Sequence, residues 1–274
     1  MKKVAILGAN GLLGRYAHSY LRDRYEVVPV TRDHFDAVVY DDRPKLQKIV
    51  EQSDYCINCI GVLKPNIPLT GLADTLFLNS VFPQMLANIC ADTGTKMIHI
   101  SSDCVFSGNK GSYIETDKCD ATGLYASSKS KEPINATTIR TSFIGEQPDK
   151  VLGLLSWILS HRNSEITGYT NCVWNGVTCL QTCKVIDDII CAERQWLGVR
   201  HLYSPTSVNK YQLCCDVNTI YDLGNIVTPV EATSIEDTTI PPGETLDRTL
   251  STIYEPIQVP ELYEQIIEQR DYEI

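Results

Sequence analysis

The sequence lacks a long hydrophobic run and an excess of basic residues. No stretch approaches the roughly 18 uninterrupted apolar residues of a membrane-spanning helix. Gly8 and Asn10 interrupt the apolar N-terminal segment, and no small-residue cleavage site follows it. The chain has 24 Lys and Arg against 34 Asp and Glu, a formal net charge of -10. We therefore expect a cytoplasmic protein with no membrane partner and no nucleic-acid partner.

A disulfide framework and a metal-ligand cluster are also missing. The 11 cysteines are an odd number scattered over 274 residues, which is typical of reduced thiols. Cys56 and Cys59 have the spacing of a metal-ligand pair, but they lie in a predicted buried strand, and the sequence has no second pair at zinc-site distance. We therefore expect no metal site.

The first half of the chain alternates short apolar runs with amphipathic patterns of helical period. The runs at 4–7, 25–30, 55–60, 96–101 and 137–140 are predicted to be strands, and the segments at 12–21, 44–51 and 76–90 to be helices. This alternation predicts an α/β fold with a Rossmann-like, doubly wound parallel sheet. Pro29 is unusual inside a strand because it cannot donate a ladder hydrogen bond.

The second half is less regular. Helical patterns cover 152–159 and 180–194, a stretch rich in Gly, Asn and Thr covers 168–178, and Pro260 marks the predicted start of a last helix. We predict a Rossmann-like domain at 1–148 and a smaller α+β lobe at 149–274, with some segments of the second part free to return to the first domain.

A glycine-rich turn follows the first predicted strand and opens the first predicted helix. Its Gly-x-x-Gly-x-x-Gly spacing lets the backbone approach a pyrophosphate, while the helix N-terminus supplies amide donors. The residues expected to hold a dinucleotide here are Gly8, Asn10, Gly11, Leu12, Leu13 and Gly14.

The end of the second predicted strand indicates which dinucleotide binds. Thr31 and Arg32 stand where an acidic residue would accept a hydrogen bond from a ribose 2′-hydroxyl. A guanidinium can bind a 2′-phosphate with two hydrogen bonds, so we expect NADP(H) as the cofactor. The alternative is that Arg32 is an ordinary surface arginine, and Asp33 beside it weakens the prediction.

Tyr125 and Lys129 are one helical turn apart, so both side chains emerge on one face. The ammonium stabilises the phenolate form, which makes Tyr125 a competent proton donor to a forming alkoxide. Ser102 ends the preceding core strand, where its hydroxyl can polarise a carbonyl group. The three residues form the predicted catalytic group of an oxidoreductase.

The segments HISSDCVFSG, YASSK and TIRTSFIG together resemble the extended short-chain dehydrogenase/reductases, in particular the dTDP-4-dehydrorhamnose reductase-like nucleotide-sugar 4-ketoreductases. The resemblance covers most of the chain and is tight over the first 145 residues. It implies NADPH-dependent reduction of the C4 ketone of a dTDP- or UDP-linked 4-keto-6-deoxy sugar. It also implies that Tyr125 donates the proton, that Lys129 orients the nicotinamide ribose, and that the 1–148 and 149–274 parts bind NADP and substrate, respectively.

The resemblance implies further contacts. For the cofactor these are Cys59, Ile60, Gly61, Asn79, Ser101 and Ser142. For the nucleotide-sugar they are Val62, Cys104, Phe106, Asn175 and Arg248, the last of which either pairs with the diphosphate or forms a solvent ion pair with Asp247. Family members often dimerise through the helix that contains Lys129. That helix looks shortened here, which leaves both a homodimer and its absence open.

Two other functions stay open. Cys104 occupies a position where related epimerase/reductases carry an acid/base cysteine, so a bifunctional 3,5-epimerase/4-reductase is one alternative, with His161 or Lys184 as the second acid/base group. The other is a non-catalytic, NADP-binding regulatory subunit. Retention of Ser102, Tyr125 and Lys129 favours an enzyme over this second alternative.

Overall fold

The computed structural model describes residues 1–39, 42–147, 151, 153–235 and 238–274. In chain order the strands are β1 (Lys3–Leu7), β2 (Glu26–Val30), β3 (Tyr55–Asn58), β4 (Lys96–Ser102), β5 (Thr137–Thr141), β6 (Phe143–Ile144), β7 (Glu165–Tyr169), β8 (Cys172–Trp174), β9 (Val177–Thr178), β10 (Gly198–His201), β11 (Val208–Asn209), β12 (Ile226–Val230), β13 (Ser234–Ile235), β14 (Thr238–Thr239) and β15 (Leu246–Asp247).

The helices, in the same order, are α1 (Leu12–Leu21), α2 (Arg43–Glu51), α3 (Ile67–Thr70), α4 (Leu72–Leu76), α5 (Phe82–Thr93), α6 (Leu124–Lys129), α7 (Leu154–Leu159), α8 (Cys179–Cys191), α9 (Lys210–Ile220) and α10 (Leu262–Arg270). Short 3₁₀ turns cover Lys64–Asn66 and Asp103–Val105, and a π-helical turn covers Phe77–Val81. Among the described residues, no helix has both the length and the apolar character needed to cross a bilayer.

The central sheet has the strand order β10-β5-β4-β3-β1-β2, and all of its pairings are parallel. Helices α1 and α8 pack together over a buried core on one face, while α2 and α5 pack over a second core on the other. This arrangement confirms the predicted doubly wound α/β fold. Since the chain passes from β1 outward to β2 and then back to β3, the topological switch point lies between β1 and β3, where ligands bind in such sheets.

The edges of the predicted elements shift for local reasons. Pro29 lies in β2, an edge strand, so its missing N–H faces away from the ladder. The strand predicted at 55–60 ends at Asn58, whose Oδ1 accepts a hydrogen bond from the Ile60 amide at 3.1 Å. The helix predicted at 76–90 is instead α4, the π-helical turn and α5 in succession, and π-helical turns occur frequently at functional sites.

The smaller lobe is built from short sheets. Strand β8 lies between β11 and β15, β7 pairs with β12, β6 pairs with β9, and β13 with β14 forms a hairpin. Helices α7, α9 and α10 contribute to a third core that includes Trp174, Leu213 and Ile266. Strand β10 lies in the central sheet beside β5, although it follows residue 148. The predicted boundary at 148/149 and Leu152 lie outside the described residues, so the division at this point stays a prediction.

Candidate active site

The glycine turn after β1 lies at the switch point and leaves no room for side chains. The Gly11 amide donates to the Gly8 carbonyl at 2.9 Å, and Gly8 has a φ of +79°. A Cβ on Gly14 would lie 2.2 Å from the Gly8 oxygen, and one on Gly8 would lie 3.2 Å from the Cys59 backbone. Helix α1 begins directly after this turn and has no side-chain cap, so no capping side chain uses its first backbone amides. The cradle therefore fits a pyrophosphate group.

Not every residue predicted in the turn offers a side chain to a ligand. Leu13 is buried in the core beneath α1, and Leu12 packs partly against the same core. Asn10 is exposed, and its carbonyl accepts from Arg15 Nε at 3.2 Å. The chemistry that this segment offers is therefore mainly that of its backbone amides.

The loop after β2 carries the residues predicted to select the dinucleotide. The Arg32 side chain is exposed, and Thr31 Oγ1 lies 3.0 Å from His34 Nδ1. A cavity of about 360 Å³ opens between this loop and α4, and its lining residues are Ala37, Val38, Arg43, Ala73, Asp74 and Phe77. An exposed guanidinium at the end of β2 is free of packing constraints and can approach a 2′-phosphate.

Asn79 connects the loop after β3 to α6. Its Oδ1 accepts from the Val62 amide at 2.8 Å, and its Nδ2 donates to the Val62 carbonyl and to Ser128 Oγ, both at 3.0 Å. Ser128 Oγ in turn donates to the Tyr125 carbonyl at 2.8 Å. Because both hydrogens of this buried amide are used inside the protein, Asn79 fixes Val62 relative to Tyr125 rather than offering donors to a ligand.

Tyr125 and Lys129 lie on α6, and each is only 7% exposed. Lys129 reaches beneath the loop after β3, where a Cβ on Gly61 would lie 2.8 Å from its Nζ. Burial lowers the pKa of Lys129, and the negative charge of Glu132 acts against that change. A second cation is also close, because Lys64 Nζ lies 5.9 Å from the centre of the Tyr125 ring. The sequence pattern gave no signal for Lys64.

Ser102 ends β4 opposite Thr141, and α6 packs against the 3₁₀ turn that follows it. Its Oγ accepts from the Cys104 amide at 3.1 Å and donates to Asp103 Oδ1 at 3.4 Å. The second hydrogen bond is long and the residue is partly exposed, so a ligand oxygen competes with Asp103 for the hydroxyl hydrogen. Ser101, the preceding residue, is different. Its Oγ donates to Glu132 at 2.6 Å, so its hydroxyl hydrogen is already used inside the protein.

The smaller lobe directs two cations at the segment after Ser102. Burial raises the pKa of Asp103, and the charges of Arg248 and Lys210 act against that change, as do hydrogen bonds from Cys104 and Ser142. Burial also lowers the pKa of Lys210, whose Nζ lies 4.6 Å from the Trp174 ring. Lys210 was not predicted from the sequence. It begins α9 and has no motif around it.

Two residues predicted to bind substrate are positioned for other roles. The Phe106 side chain is fully buried, stacked on Tyr113 at 4.3 Å between ring centroids, while its carbonyl accepts from Arg248 Nε at 3.0 Å. Asn175 both donates to and accepts from the Leu250 backbone at 2.8 Å. The phenyl ring and the amide are therefore engaged inside the protein, and contacts of these two side chains with substrate stay a prediction.

The groups predicted to assist Cys104 also have partners elsewhere. Lys184 forms a 2.6 Å ion pair with Glu268, and His161 Nδ1 lies 2.8 Å from the Trp157 carbonyl. Cys104 itself is partly exposed beside Ser102. Its thiol forms a hydrogen bond with Asp103, and Lys210 is a cation that interacts with it.

Comparison with known proteins identifies the family of the chain. A profile of the RmlD substrate binding domain matches residues 1–150, more than half of the sequence. The chain belongs to the RmlD substrate-binding-domain family. The resemblance to dTDP-4-dehydrorhamnose reductase-like proteins of the extended short-chain dehydrogenase/reductases is thereby confirmed.

The curated relatives that this RmlD family chain matches include a reductase and a subunit of another enzyme. The dTDP-4-dehydrorhamnose reductase of Mycobacterium tuberculosis is 30% identical over 134 residues, 47% of this chain and 43% of that protein. Methionine adenosyltransferase 2 subunit beta of Xenopus laevis is 26% identical over 135 residues, 47% of this chain and 40% of that protein. The matched segments thus span less than half of either relative.

A solved structure extends the likeness over nearly the whole chain. The dTDP-4-dehydrorhamnose reductase from Bacillus anthracis, in complex with NADP, has a TM-score of 0.79 to this RmlD family member and covers 98% of this chain and 99% of its own. The two sequences are 17% identical. At this identity the comparison shows that the fold is shared, including the part of the chain beyond residue 150.

Proposed function

We propose that this protein is an NADPH-dependent reductase of the C4 ketone of a nucleoside-diphosphate 4-keto-6-deoxy sugar, of the dTDP- or UDP-linked kind used in rhamnose-type deoxysugar biosynthesis. The observation that carries the proposal is the position of Lys129 beneath Gly61, next to Tyr125 on α6 and beside the switch point of the sheet. A phenol, an ammonium and a serine hydroxyl at this place are the groups that ketone reduction requires.

The chain's own residues account for cofactor binding. The amides around Gly8, Gly11 and Gly14 bind the pyrophosphate, and Arg32 with Thr31 binds the 2′-phosphate. When bound, NADPH supplies the hydride for the C4 carbon. The NADP named with the Bacillus anthracis reductase agrees with this assignment.

Proton transfer is the part of the reaction that the protein performs itself. The Tyr125 hydroxyl donates its proton to the C4 oxygen as hydride arrives at the C4 carbon, and the Lys129 ammonium stabilises the phenolate that remains. The Ser102 hydroxyl donates a hydrogen bond to the same oxygen while negative charge develops on it. Arg248 and Lys210 provide positive charge for the diphosphate of the substrate.

The test is direct. Purified protein is supplied with NADPH and, separately, with dTDP- and UDP-4-keto-6-deoxyglucose, and the products are identified by NMR. We expect oxidation of NADPH in step with a 4-hydroxy product from one of the two substrates. If none of the nucleotide-sugar ketones yields a product, the proposal is contradicted.

Two alternatives have observations in their favour. The partly exposed Cys104 beside Ser102, with Lys210 acting on it, favours a 3,5-epimerase/4-reductase, in which a thiol exchanges a proton next to the ketone. The likeness to methionine adenosyltransferase 2 subunit beta favours an NADP-binding regulatory subunit. Tight NADPH binding without turnover on nucleotide-sugar ketones would select the latter.

A further inference from the structure

The chain that leaves α6 contains a carboxylate that turns back into the protein. Helix α6 ends at Lys129, and three residues later Glu132 Oε1 accepts from Ser101 Oγ at 2.6 Å and from Arg140 Nη2 at 3.0 Å. Ser101 on β4 and Arg140 on β5 are register partners in the sheet. One carboxylate oxygen thus joins the end of the helix to two neighbouring strands directly after the proposed active-site residues.

The partners of this carboxylate are themselves fixed. Arg140 Nη1 lies 3.2 Å from His201 Nε2, its guanidinium lies 5.2 Å from the centre of the Phe106 ring, and its side chain is 4% exposed. The Glu132 side chain is 14% exposed, and its other oxygen, Oε2, is buried with no hydrogen-bond partner among the described residues.

We propose that Glu132 is the positioning residue of the Tyr125/Lys129 pair, holding the end of the short α6 against β4 and β5 and facing Lys129 with a negative charge. In a longer helix, the following turn would fix Lys129. Here the helix stops at Lys129, so the Glu132 carboxylate performs that task. The kinetic part of this inference rests on the proposed ketone reduction, whereas the electrostatic part does not.

The groups around Lys129 determine the direction of the effect. The Cys59 thiol and Glu132 interact electrostatically with its ammonium, and so does His99 on β4. Burial raises the pKa of the Cys59 thiol to about 12 and lowers the pKa of the His99 imidazole. Both groups are therefore uncharged near neutral pH. Glu132 is therefore the group that opposes the lowering of the Lys129 pKa by burial. Without the charge of Glu132, the Lys129 ammonium loses its proton at a lower pH.

The test measures the titration of Lys129 itself. Protein labelled with ¹³C at the lysine ε position is titrated by NMR, and the Lys129 signal is assigned by its absence in Lys129→Arg. We expect the midpoint of Lys129 to move to lower pH in Glu132→Gln, since glutamine keeps the shape and removes the charge. An unchanged midpoint would overturn the electrostatic part of the proposal, whether or not the protein is active.

A matched control separates charge near the site from charge elsewhere. Asp187 is 18% exposed and, like Glu132, accepts from a hydroxyl, Tyr25 OH at 2.6 Å, and pairs with an arginine, Arg24 Nε at 3.1 Å. Its position on α8 is away from α6. Asp187→Asn should leave the Lys129 midpoint where it is. An equal shift in both variants would contradict a specific role for Glu132.

A second variant keeps the proposal testable if Glu132→Gln does not fold. Ser101→Ala removes the 2.6 Å hydrogen bond to Glu132 and keeps the charge. It should lower kcat about tenfold with KM nearly unchanged, because the α6 end is less well fixed, while the Lys129 midpoint stays as in the wild type. Wild-type kcat in Ser101→Ala would refute the anchoring part. A wild type that reduces no ketone, with the Lys129 shift present, would refute the proposed function alone.

Discussion

Replacing Gly61 with alanine tests how tightly Lys129 is packed beneath the loop after β3. The new Cβ would lie 2.8 Å from Lys129 Nζ and 3.4 Å from Asn79 Oδ1. An ordinary carbon–nitrogen contact is about 3.5 Å, so the ammonium has to move by several tenths of an ångström. It lies at the end of a flexible side chain, and Gly61 has no positive φ, so the backbone accommodates alanine.

The expected magnitude follows from this displacement. A misplacement of about 1 Å in an active site costs up to about 10²-fold in rate, so a shift of several tenths should lower kcat about tenfold, or ~1.4 kcal/mol. The free energy of unfolding should change by less than about 1 kcal/mol, because loss of glycine entropy in the unfolded chain offsets the strain. Steady-state reduction of the ketone and thermal unfolding measure the two effects separately.

The contrast with Gly14→Ala sharpens the test. A Cβ on Gly14 would lie 2.2 Å from the Gly8 oxygen, a backbone atom that cannot move aside without rebuilding the turn. This variant should lose NADPH affinity and stability together. Wild-type kcat in Gly61→Ala would refute the reasoning, because Lys129 could then not lie where the structure has it.

The remaining predictions concern the other groups of the site. Tyr125→Phe should lower kcat by roughly 10²–10⁴ with little change in NADPH affinity, whereas Lys129→Met should lower both kcat and NADPH affinity. Ser102→Ala should lower kcat ~10²-fold. Steady-state kinetics and fluorescence titration measure these effects, and near-wild-type turnover of Tyr125→Phe would contradict the mechanism. NADPH should bind at least tenfold (~1.4 kcal/mol) tighter than NADH, and Arg32→Ala should remove most of that preference, whereas equal affinities in the wild type would contradict it. If Cys104 is an acid/base group, reduction in D₂O should place deuterium at C3 or C5 and Cys104→Ser should suppress it; an unlabelled product leaves the simple reductase.

The fold was largely predictable because periodicity reports burial. Five strands of the central sheet follow from apolar runs, of which all but the partly exposed edge strand β2 are largely buried on both faces. Helix α1 begins and ends where its pattern predicts. The sixth strand, β10, was not predicted, since Gly198–His201 is short and only its last residue is buried. The break at Phe77–Val81 was also missed, because a π-helical turn shifts the helical register without changing composition.

The site was predictable where its chemistry is local in the sequence. The glycine turn and the Tyr125/Lys129 pair are spacings of a few residues, and the structure brings both to the switch point. Lys210 and Glu132 were missed because each depends on where the chain returns. Lys210 acts on Asp103 from a helix that begins more than 100 residues later, and Glu132 turns inward only because α6 is short.

Three polar residues that the sequence predicts to bind a ligand also make hydrogen bonds inside the protein. Asn79, Asn175 and Ser101 each carry groups that could bind a ligand, and each uses them on backbone or side-chain partners 17, 75 and 31 residues away, respectively. A buried donor must be paired, so a polar residue beside a ligand site either faces the ligand or holds the loop that does. Adjacency in sequence cannot separate these roles. The hydrogen bonds that each group already makes show that these three side chains hold neighbouring segments in place, while their contacts with a ligand stay predictions.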